Sequence, residues 1–288
     1  MKSQNIDSTN KLGIYEKAIN NKFSWEDKII ITAKAGFKFI ELSIDESDSR
    51  LQRLDWKKEK IEELKDLLKS HNVEINSICL SAHRRFPFGS HDMVVRNKAR
   101  EIMTKALEFA KTLGVTVIQL AGYDVYYEES DNETVENFVQ GIIWSVQEAK
   151  KYNIILAFEI MDTPFMGTIS KAMKYVNQIN SPLLKIYPDL GNISQWTDSL
   201  EEEFEIGKNH IVGLHFKDTK PGIFKCVPFG QGTVDFPRLL TIISNIKYIG
   251  PILIEMWSEN NTSETSEENI LELSKAKSFY LDQWKRVK

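Results

Sequence analysis

Three carboxylates and one histidine stand near the carboxyl ends of four successive apolar segments. The segments read ILAFEIMD, LKIYPDLGN, HIVGLHFKD and PILIEMW, and the residues are Glu159, Asp189, His215 and Glu255. If these segments are neighbouring strands of a parallel barrel, the four side chains meet at one rim. Carboxylate oxygens and imidazole nitrogens are common ligands of divalent transition metals. The pattern therefore predicts a metal site that also contains proton acceptors.

Each of these residues, taken alone, also has an ordinary structural interpretation. A single carboxylate or histidine at a strand end often caps a helix or satisfies a polar group in the core. Four in consecutive units are harder to explain in this way, because burying three carboxylates together costs several kcal/mol for each of them. A divalent cation removes that cost. The mixture of oxygen ligands with one nitrogen favours zinc, manganese or cobalt over calcium.

The four segments belong to a longer alternation of short apolar runs with helical segments. This alternation is typical of repeated βα units around a parallel sheet. Eight predicted strands lie near residues 11–16, 37–45, 74–83, 115–124, 154–162, 184–191, 210–218 and 250–257. No linker rich in Pro, Gly or Ser separates them. We therefore predict an α/β fold in which residues 1–288 form one (β/α)8 TIM barrel, with the active site at the carboxyl ends of its strands.

The helical segments carry signals for where helices begin and end. The predicted N-caps and helix ends are, in chain order, Ser24, Gly36, Asp55 and Gly114. Residues 91–114 and 132–152 each predict a helix of about five or six turns. The polar stretch 259–268 predicts a loop before the last helix.

Strand alternation places small residues directly below two of the candidate ligands. Residues two apart in a strand share a face, so Ala157 lies below Glu159 and Gly213 below His215. Small side chains at these positions predict a roomy barrel mouth.

The composition limits the class of protein and its partners. The chain has 288 residues, of which 42% are hydrophobic and 27% charged, and its net charge is −4. These values are typical of globular proteins and argue against nucleic acid or an anionic membrane as the main partner. There is no apolar signal segment and no run of 18 apolar residues, and Cys79 and Cys226 match no zinc or CxxC spacing. Because Rossmann and P-loop motifs are also lacking, we expect a cytoplasmic protein that binds no dinucleotide, nucleic acid or membrane.

Two basic segments are candidates for binding a phosphate group. They contain His83, Arg84 and Arg85 after the third predicted strand, and Lys217, Lys220 and Lys225 at and after the seventh. Two adjacent arginines at a strand end favour function, because guanidinium groups bind phosphate with two parallel hydrogen bonds. For the lysines, solvation at the surface is an equal alternative. Lys217 has a further alternative, which is an ion pair with a carboxylate of the metal site.

Two earlier strands supply candidates for contacts with a sugar. Glu41, in the second predicted strand, is expected either to bind a substrate hydroxyl or to form a salt bridge inside the barrel. Tyr15 and Glu16 end the first predicted strand and are candidate contacts at the rim.

From about residue 11 to residue 260, the sequence resembles the L-ribulose-5-phosphate (L-xylulose-5-phosphate) 3-epimerase family of xylose-isomerase-like barrels. The resemblance rests on the segments LGIYEKA, FIELSIDESD, SICLSAHRRFPFGS, FEIMDTPFMGTISKA, YPDLGN, HFKDTKPGIFKCVPFGQGTVDF and LIEMWSE. It implies a metal-dependent 3-epimerisation of a ketopentose phosphate, in ascorbate (sugar-acid) degradation or pentose salvage. It also implies that Glu159, Asp189, His215 and Glu255 hold the metal, and that the chain forms a homo-oligomer, commonly a dimer.

Two glutamates suit the chemistry of epimerisation. To invert the carbon beside a ketone, an enzyme removes a weakly acidic proton, stabilises a cis-enediolate and returns a proton to the opposite face. We predict that one of Glu159 and Glu255 removes the C3 proton and the other delivers one, while a metal chelated by O2 and O3 stabilises the negative charge.

Three alternatives to this function stay open from the sequence. One is an aldose–ketose isomerase, another is a 3-epimerase of an unphosphorylated ketose, and the third is a non-catalytic sugar-binding barrel. A DNA-repair nuclease of the same barrel class is disfavoured, since the chain has five histidines and a net charge of −4.

Overall fold

A computed structural model describes residues 12–258 and 263–287. Its eight strands are all parallel, in the order β6-β5-β4-β3-β2-β1-β8-β7. Bridges from Ile186 to Ile211 and from Asp189 to His215 join β6 to the β7 side and nearly close the circle. The strands are β1 Leu12–Tyr15, β2 Phe39–Ile44, β3 Glu74–Leu80, β4 Val117–Leu120, β5 Ile155–Glu159, β6 Leu184–Tyr187, β7 Leu214–Phe216 and β8 Ile252–Ile254. The predicted (β/α)8 barrel is confirmed as a single domain.

Helices connect the strands on the outside of the barrel. They are α1 Trp25–Lys34, α2 Asp48–Leu51, α3 Lys58–Ser70, α4 Met93–Leu113, α5 Asn132–Tyr152, α6 Ile169–Ile179, α7 Leu190–Ile193, α8 Leu200–Gly207, α9 Phe236–Asn245 and α10 Ser266–Trp284. The two predicted long helices are confirmed as α4 and α5, with 21 residues each. None of the helices in the described ranges is long and apolar enough to cross a membrane.

Three of the four predicted helix signals are confirmed. Ser24 accepts a hydrogen bond from the Asp27 amide and caps α1. Gly36 and Gly114 follow α1 and α4 with φ of +79° and +83°, a left-handed conformation that glycine adopts without strain. The prediction for Asp55 is wrong.

Asp55 ends a 3-10 turn that comes before α3, and α3 begins at Lys58. Its carboxylate instead lies 2.7 Å from Lys105 Nζ. The predicted loop over 259–268 is only partly testable, because 259–262 lie outside the described residues. Its last three residues already belong to α10, which Thr265 caps.

The strands are shorter than predicted because each gives way to the loop that carries the site. Strand β6 ends at Tyr187, and the next residue, Pro188, has no amide hydrogen for a sheet ladder. Asp189 then caps α7. The predicted small residue below His215 has a different use from the expected one. A Cβ at Gly213 would lie 2.2 Å from Tyr187 Cζ, so the glycine makes room for a buried ring and not for an open mouth.

Candidate metal centre and active site

The four predicted ligands meet at the carboxyl end of the barrel. Glu159 ends β5, Asp189 follows β6, His215 lies in β7 and Glu255 directly follows β8. All four are buried, and one ligand atom from each lies within 4.8 Å of the others. His215 Nδ1 is 3.4 Å from Glu159 Oε1, 3.8 Å from Asp189 Oδ2 and 3.3 Å from Glu255 Oε2. Tetrahedral ligands at about 2.1 Å from a zinc ion are themselves about 3.4 Å apart, so these spacings fit a metal.

The polar atoms at the centre of this cluster are left without hydrogen bonds. Within the described part of the chain, Asp189 Oδ2, His215 Nδ1 and Glu255 Oε2 are buried and have no hydrogen-bond partner. Buried polar atoms are nearly always paired, because an unpaired one costs about 1–3 kcal/mol. Three such atoms within one cluster of carboxylates and an imidazole fit a divalent cation.

The opposite edges of the ligands are held by neighbouring groups. Asp189 Oδ1 accepts a hydrogen bond of 2.8 Å from the Asn192 amide. The side-chain amide of Gln119, in β4, donates to Glu159 Oε2. Gln119 and Asn192 were not among the predicted site residues. The signal for Gln119 is a single polar side chain inside the apolar run VIQLA.

Lys217 lies beside the ligands, in the ion pair with carboxylates of the site that was one of the alternatives predicted for it. Its Nζ lies 2.6 Å from Asp189 Oδ2 and 3.1 Å from Glu255 Oε2, as ion-pair contacts. Burial lowers the pKa of an ammonium group, but Asp189 and Glu255 raise the pKa of Lys217 above its ordinary value. Lys217 is therefore a fixed positive charge beside two of the ligands.

The charges of the cluster move the pKa values of its members in different directions. Burial raises the pKa of Asp189 well above its ordinary value, although Lys217 opposes this. Burial acts on Glu255 too, but Lys217 and His215 hold the pKa of Glu255 well below its ordinary value. Burial would lower the pKa of His215, yet Glu255 and Glu41 raise it well above its usual range. The pKa of each member therefore depends on the charges of the others.

Known proteins resemble this chain in fold and in sequence. A family model described as the xylose isomerase-like TIM barrel matches residues 29–276. The probable L-ribulose-5-phosphate 3-epimerase UlaE of Mycoplasma pneumoniae is 49% identical over 281 residues, which cover 96% of this chain and 92% of that protein. The chain belongs to the L-ribulose-5-phosphate 3-epimerase family. Another member, L-ribulose-5-phosphate 3-epimerase UlaE of Escherichia coli, is 48% identical over 268 residues, 93% of each chain. The protein is an enzyme of the racemase and epimerase class.

Solved structures of sugar epimerases share the fold of this family member. The D-psicose 3-epimerase of Clostridium cellulolyticum H10, solved with D-tagatose, has a TM-score of 0.78 and 18% identity, covering 94% of this chain and 98% of that one. An L-ribulose 3-epimerase has a TM-score of 0.74 and 16% identity, covering 95% and 94%. At these identities the comparison shows the barrel fold alone.

Several predicted rim residues line the mouth of this epimerase above the metal centre. The mouth is lined by Tyr15, Lys17, Cys79, Ser81, Arg84, Ala121, Tyr123, Glu159, Met161, Asp162, Asn192, Lys217, Lys225, Glu255 and Trp257. Arg84 donates a 2.8 Å hydrogen bond to the Tyr123 hydroxyl and lies over the Tyr126 ring. Burial and the nearby Arg84 charge lower the pKa of Lys225. Lys17, which was not predicted, also lines the mouth and pairs with Asp45 at 2.6 Å.

Three predicted phosphate-binding residues lie away from this mouth. His83 is buried under α4, with Nε2 3.2 Å from the Ala99 carbonyl oxygen and its ring against Phe88. Arg85 is half exposed and pairs with Asp48 on the outer surface at 2.8 Å. Lys220 lies outside the mouth, in a turn of the β7–α9 loop. A 3-10 turn over residues 81–84 separates the adjacent side chains, so only Arg84 of the HRR run faces the site.

Two predicted sugar contacts are buried in ion pairs. Glu41 Oε1 lies 2.9 Å from His215 Nε2, and its carboxylate is fully buried and does not line the mouth. The prediction of a rim contact for Glu16 is wrong. Its carboxylate is fully buried and contacts Lys28 Nζ at 2.9 Å and Arg53 Nη1 at 2.6 Å. Burial would raise the pKa of Glu16, but Arg53 and Lys28 lower it to about 2.

Proposed function

We propose that this enzyme interconverts L-xylulose 5-phosphate and L-ribulose 5-phosphate by inverting carbon 3. The observation that carries the proposal is the convergence of Glu159, Asp189, His215 and Glu255, whose ligand atoms lie within 4.8 Å of one another. The names of relatives at 48–49% identity support the choice of substrate. The family membership sets aside the non-catalytic sugar-binding alternative.

In this proposal the centre works with one divalent ion, of zinc, manganese or cobalt. Glu159, Asp189, His215 and Glu255 would hold it. When bound, such an ion would polarise the ketone and stabilise negative charge on the substrate oxygens. The buried nitrogen ligand argues against calcium or magnesium, which prefer oxygen ligands alone.

The proton transfers are assigned to the two glutamates. One carboxylate takes the proton from C3, and the electrons of the C–H bond form the C2–C3 double bond of a cis-enediolate. The other, protonated glutamate returns a proton to C3 on the opposite face, and exchange of roles runs the reverse reaction. Glu159 Oε1 and Glu255 Oε2 lie 3.4 and 3.3 Å from His215 Nδ1, so both carboxylates reach the same centre. Gln119 and Lys217 hold their carboxylates in orientation.

The substrate phosphate is assigned to the cations at the mouth. Arg84 and Lys225 both line it, and burial together with the Arg84 charge lowers the pKa of Lys225. Lys17 also lines it, but it already pairs with Asp45 at 2.6 Å. Two neighbouring cations of this kind gain from a bound anion. Lys217 is less suited, since two carboxylates already occupy it.

The test is an assay of the purified enzyme with L-ribulose 5-phosphate, following products by NMR. We expect L-xylulose 5-phosphate to form, and turnover of unphosphorylated L-ribulose to be far less efficient. An aldose product would favour the aldose–ketose isomerase, and equal efficiency without phosphate would favour an epimerase of free ketoses. Glu159→Gln and Glu255→Gln should each abolish turnover in a folded protein, and full activity in either variant overturns the proposal.

A further inference from the structure

A further buried carboxylate, that of Glu41, contacts one of the metal ligands. Glu41, in β2, is fully buried and has no surface in the mouth. One of its oxygens lies 2.9 Å from His215 Nε2, on the edge of the imidazole opposite the ligand atom Nδ1. Its other oxygen accepts a 2.6 Å hydrogen bond from the Ser77 hydroxyl, in β3. The Ser77 hydroxyl on the neighbouring strand therefore helps to fix the carboxylate that contacts His215.

This arrangement determines which nitrogen of His215 carries a proton. A carboxylate accepts hydrogen bonds and donates none, so the 2.9 Å contact requires a hydrogen on Nε2. A metal binds only the neutral imidazole, and with the hydrogen on Nε2 the lone pair of that form lies on Nδ1. Nδ1 is the atom that faces Glu159 and Glu255 at 3.4 and 3.3 Å. Glu41 therefore selects the tautomer that can bind a metal at the centre.

The plane of the imidazole is fixed from a third direction. The Tyr187 ring lies 4.8 Å from the His215 ring, centroid to centroid, and Gly213 leaves the space that this ring needs. Rotation of His215 about its side-chain bonds would break the contact with Glu41. Glu41 and the Tyr187 ring together hold the His215 ring in one orientation.

We propose that Glu41, supported by Ser77, is a positioning residue that holds His215 in its metal-binding tautomer and orientation. The inference rests on the proposed metal function of the same centre and adds a residue that touches neither metal nor substrate. Partners of this kind behind a histidine ligand typically change metal affinity by about 10–100-fold when they are removed. A carboxylate that only stabilised the barrel interior would leave the affinity of the folded protein unchanged.

The experiment compares Glu41→Gln with a matched control, Asp124→Asn. Asp124 is also buried and accepts two hydroxyl hydrogen bonds, from Ser130 at 2.6 Å and Thr134 at 2.7 Å, but it lies outside the metal centre. Affinity for Zn²⁺ is measured by competition with a chromophoric chelator, after urea unfolding has shown that each variant is folded. We expect Glu41→Gln to weaken Zn²⁺ binding about 10–100-fold and Asp124→Asn to leave it unchanged.

A spectroscopic measurement tests the tautomer itself. In the Zn²⁺-loaded wild type, a long-range ¹H–¹⁵N spectrum should show one histidine with a hydrogen-bonded Nε2–H, and His215→Gln assigns that signal among the five histidines. In Glu41→Gln the same proton signal should move upfield, while Asp124→Asn leaves it in place. If Glu41→Gln does not fold, Ser77→Ala decides, with an expected loss of about 3–10-fold in affinity.

The outcomes separate this inference from the proposed function. Binding by Glu41→Gln within twofold of wild type, or an equal loss in Asp124→Asn, overturns the positioning role and leaves the metal centre intact. Failure of the wild type to bind Zn²⁺, Mn²⁺ or Co²⁺ overturns the proposed metal function, and the positioning role with it.

Discussion

His83 is buried, so we predict that it affects the pH dependence of stability and not the binding of the substrate phosphate. Burial lowers the pKa of this imidazole from 6.5 to about 4, so the folded protein holds it neutral. An unfolded chain takes up that proton at about pH 6.5, and the folded state is therefore fully favoured above pH 6.5 and loses stability as the pH falls toward 4. With these two pKa values, His83 alone removes about 2 kcal/mol of stability at pH 5. His83→Gln keeps an amide donor for the Ala99 carbonyl and removes the titration.

The assay is urea unfolding of wild type and His83→Gln at pH 7.5 and pH 5. The difference between the two proteins cancels the other titrating groups. On going from pH 7.5 to pH 5, we expect the free energy of unfolding of the variant to rise by about 2 kcal/mol relative to that of the wild type. The KM for L-ribulose 5-phosphate should stay within twofold of wild type. A parallel pH dependence in the two proteins, or a tenfold rise in KM, would show that the histidine is not a neutral core residue.

The ion pairs and the mouth give further predictions. Arg53→Met leaves the buried Glu16 carboxylate with Lys28 as its cationic partner and the Ser43 amide as a hydrogen-bond donor, and it should cost about 3–5 kcal/mol in urea unfolding at pH 7. Because the folded pKa of Glu16 is about 2, its contribution is present above about pH 4.5 and is lost on acidification toward 2, a loss that should shrink in the variant. Arg84→Met should raise the KM for the phosphorylated ketose about 10–100-fold, whereas Arg85→Met, on the outer surface, should leave it unchanged in the same steady-state assay. Removal of metal by a chelator should abolish turnover, and added Zn²⁺, Mn²⁺ or Co²⁺ should restore it; full activity in the chelated enzyme contradicts the metal proposal.

The barrel and its four central residues could be predicted because both follow from local patterns. Strand alternation fixes which residues share a face, and parallel strands bring their carboxyl ends to one rim. Glu159 and His215 needed no knowledge of the loops, since each lies within a strand. Asp189 was equally accessible, because Pro188 ends its strand one residue before it.

The errors fall where side-chain direction depends on tertiary packing. His83 and Arg84 are adjacent, and only the 3-10 turn at the end of β3 decides that one enters the mouth while the other packs under α4. Glu16 follows the buried strand β1 by one residue, but Arg53 and Lys28 lie 37 and 12 residues away in sequence. Partners at such separations leave no periodic signal.

Gly213 is a further case in which the sequence pattern was read correctly but its structural reason was not. A small residue below a ligand indicates space, but the sequence does not say what fills it. Here the Tyr187 ring from the neighbouring strand occupies the space and packs against His215. An amide such as Gln119, which orients Glu159, was visible as a polar residue in an apolar run but carried no sign of its partner.

The proton-transfer role of Glu159 and Glu255 is tested most directly by turnover of L-ribulose 5-phosphate in deuterated water. NMR of the recovered sugars should show one deuterium at C3 of the epimerised product and none at C1. Complete retention of protium at C3 during turnover would contradict proton exchange at that carbon by the two glutamates.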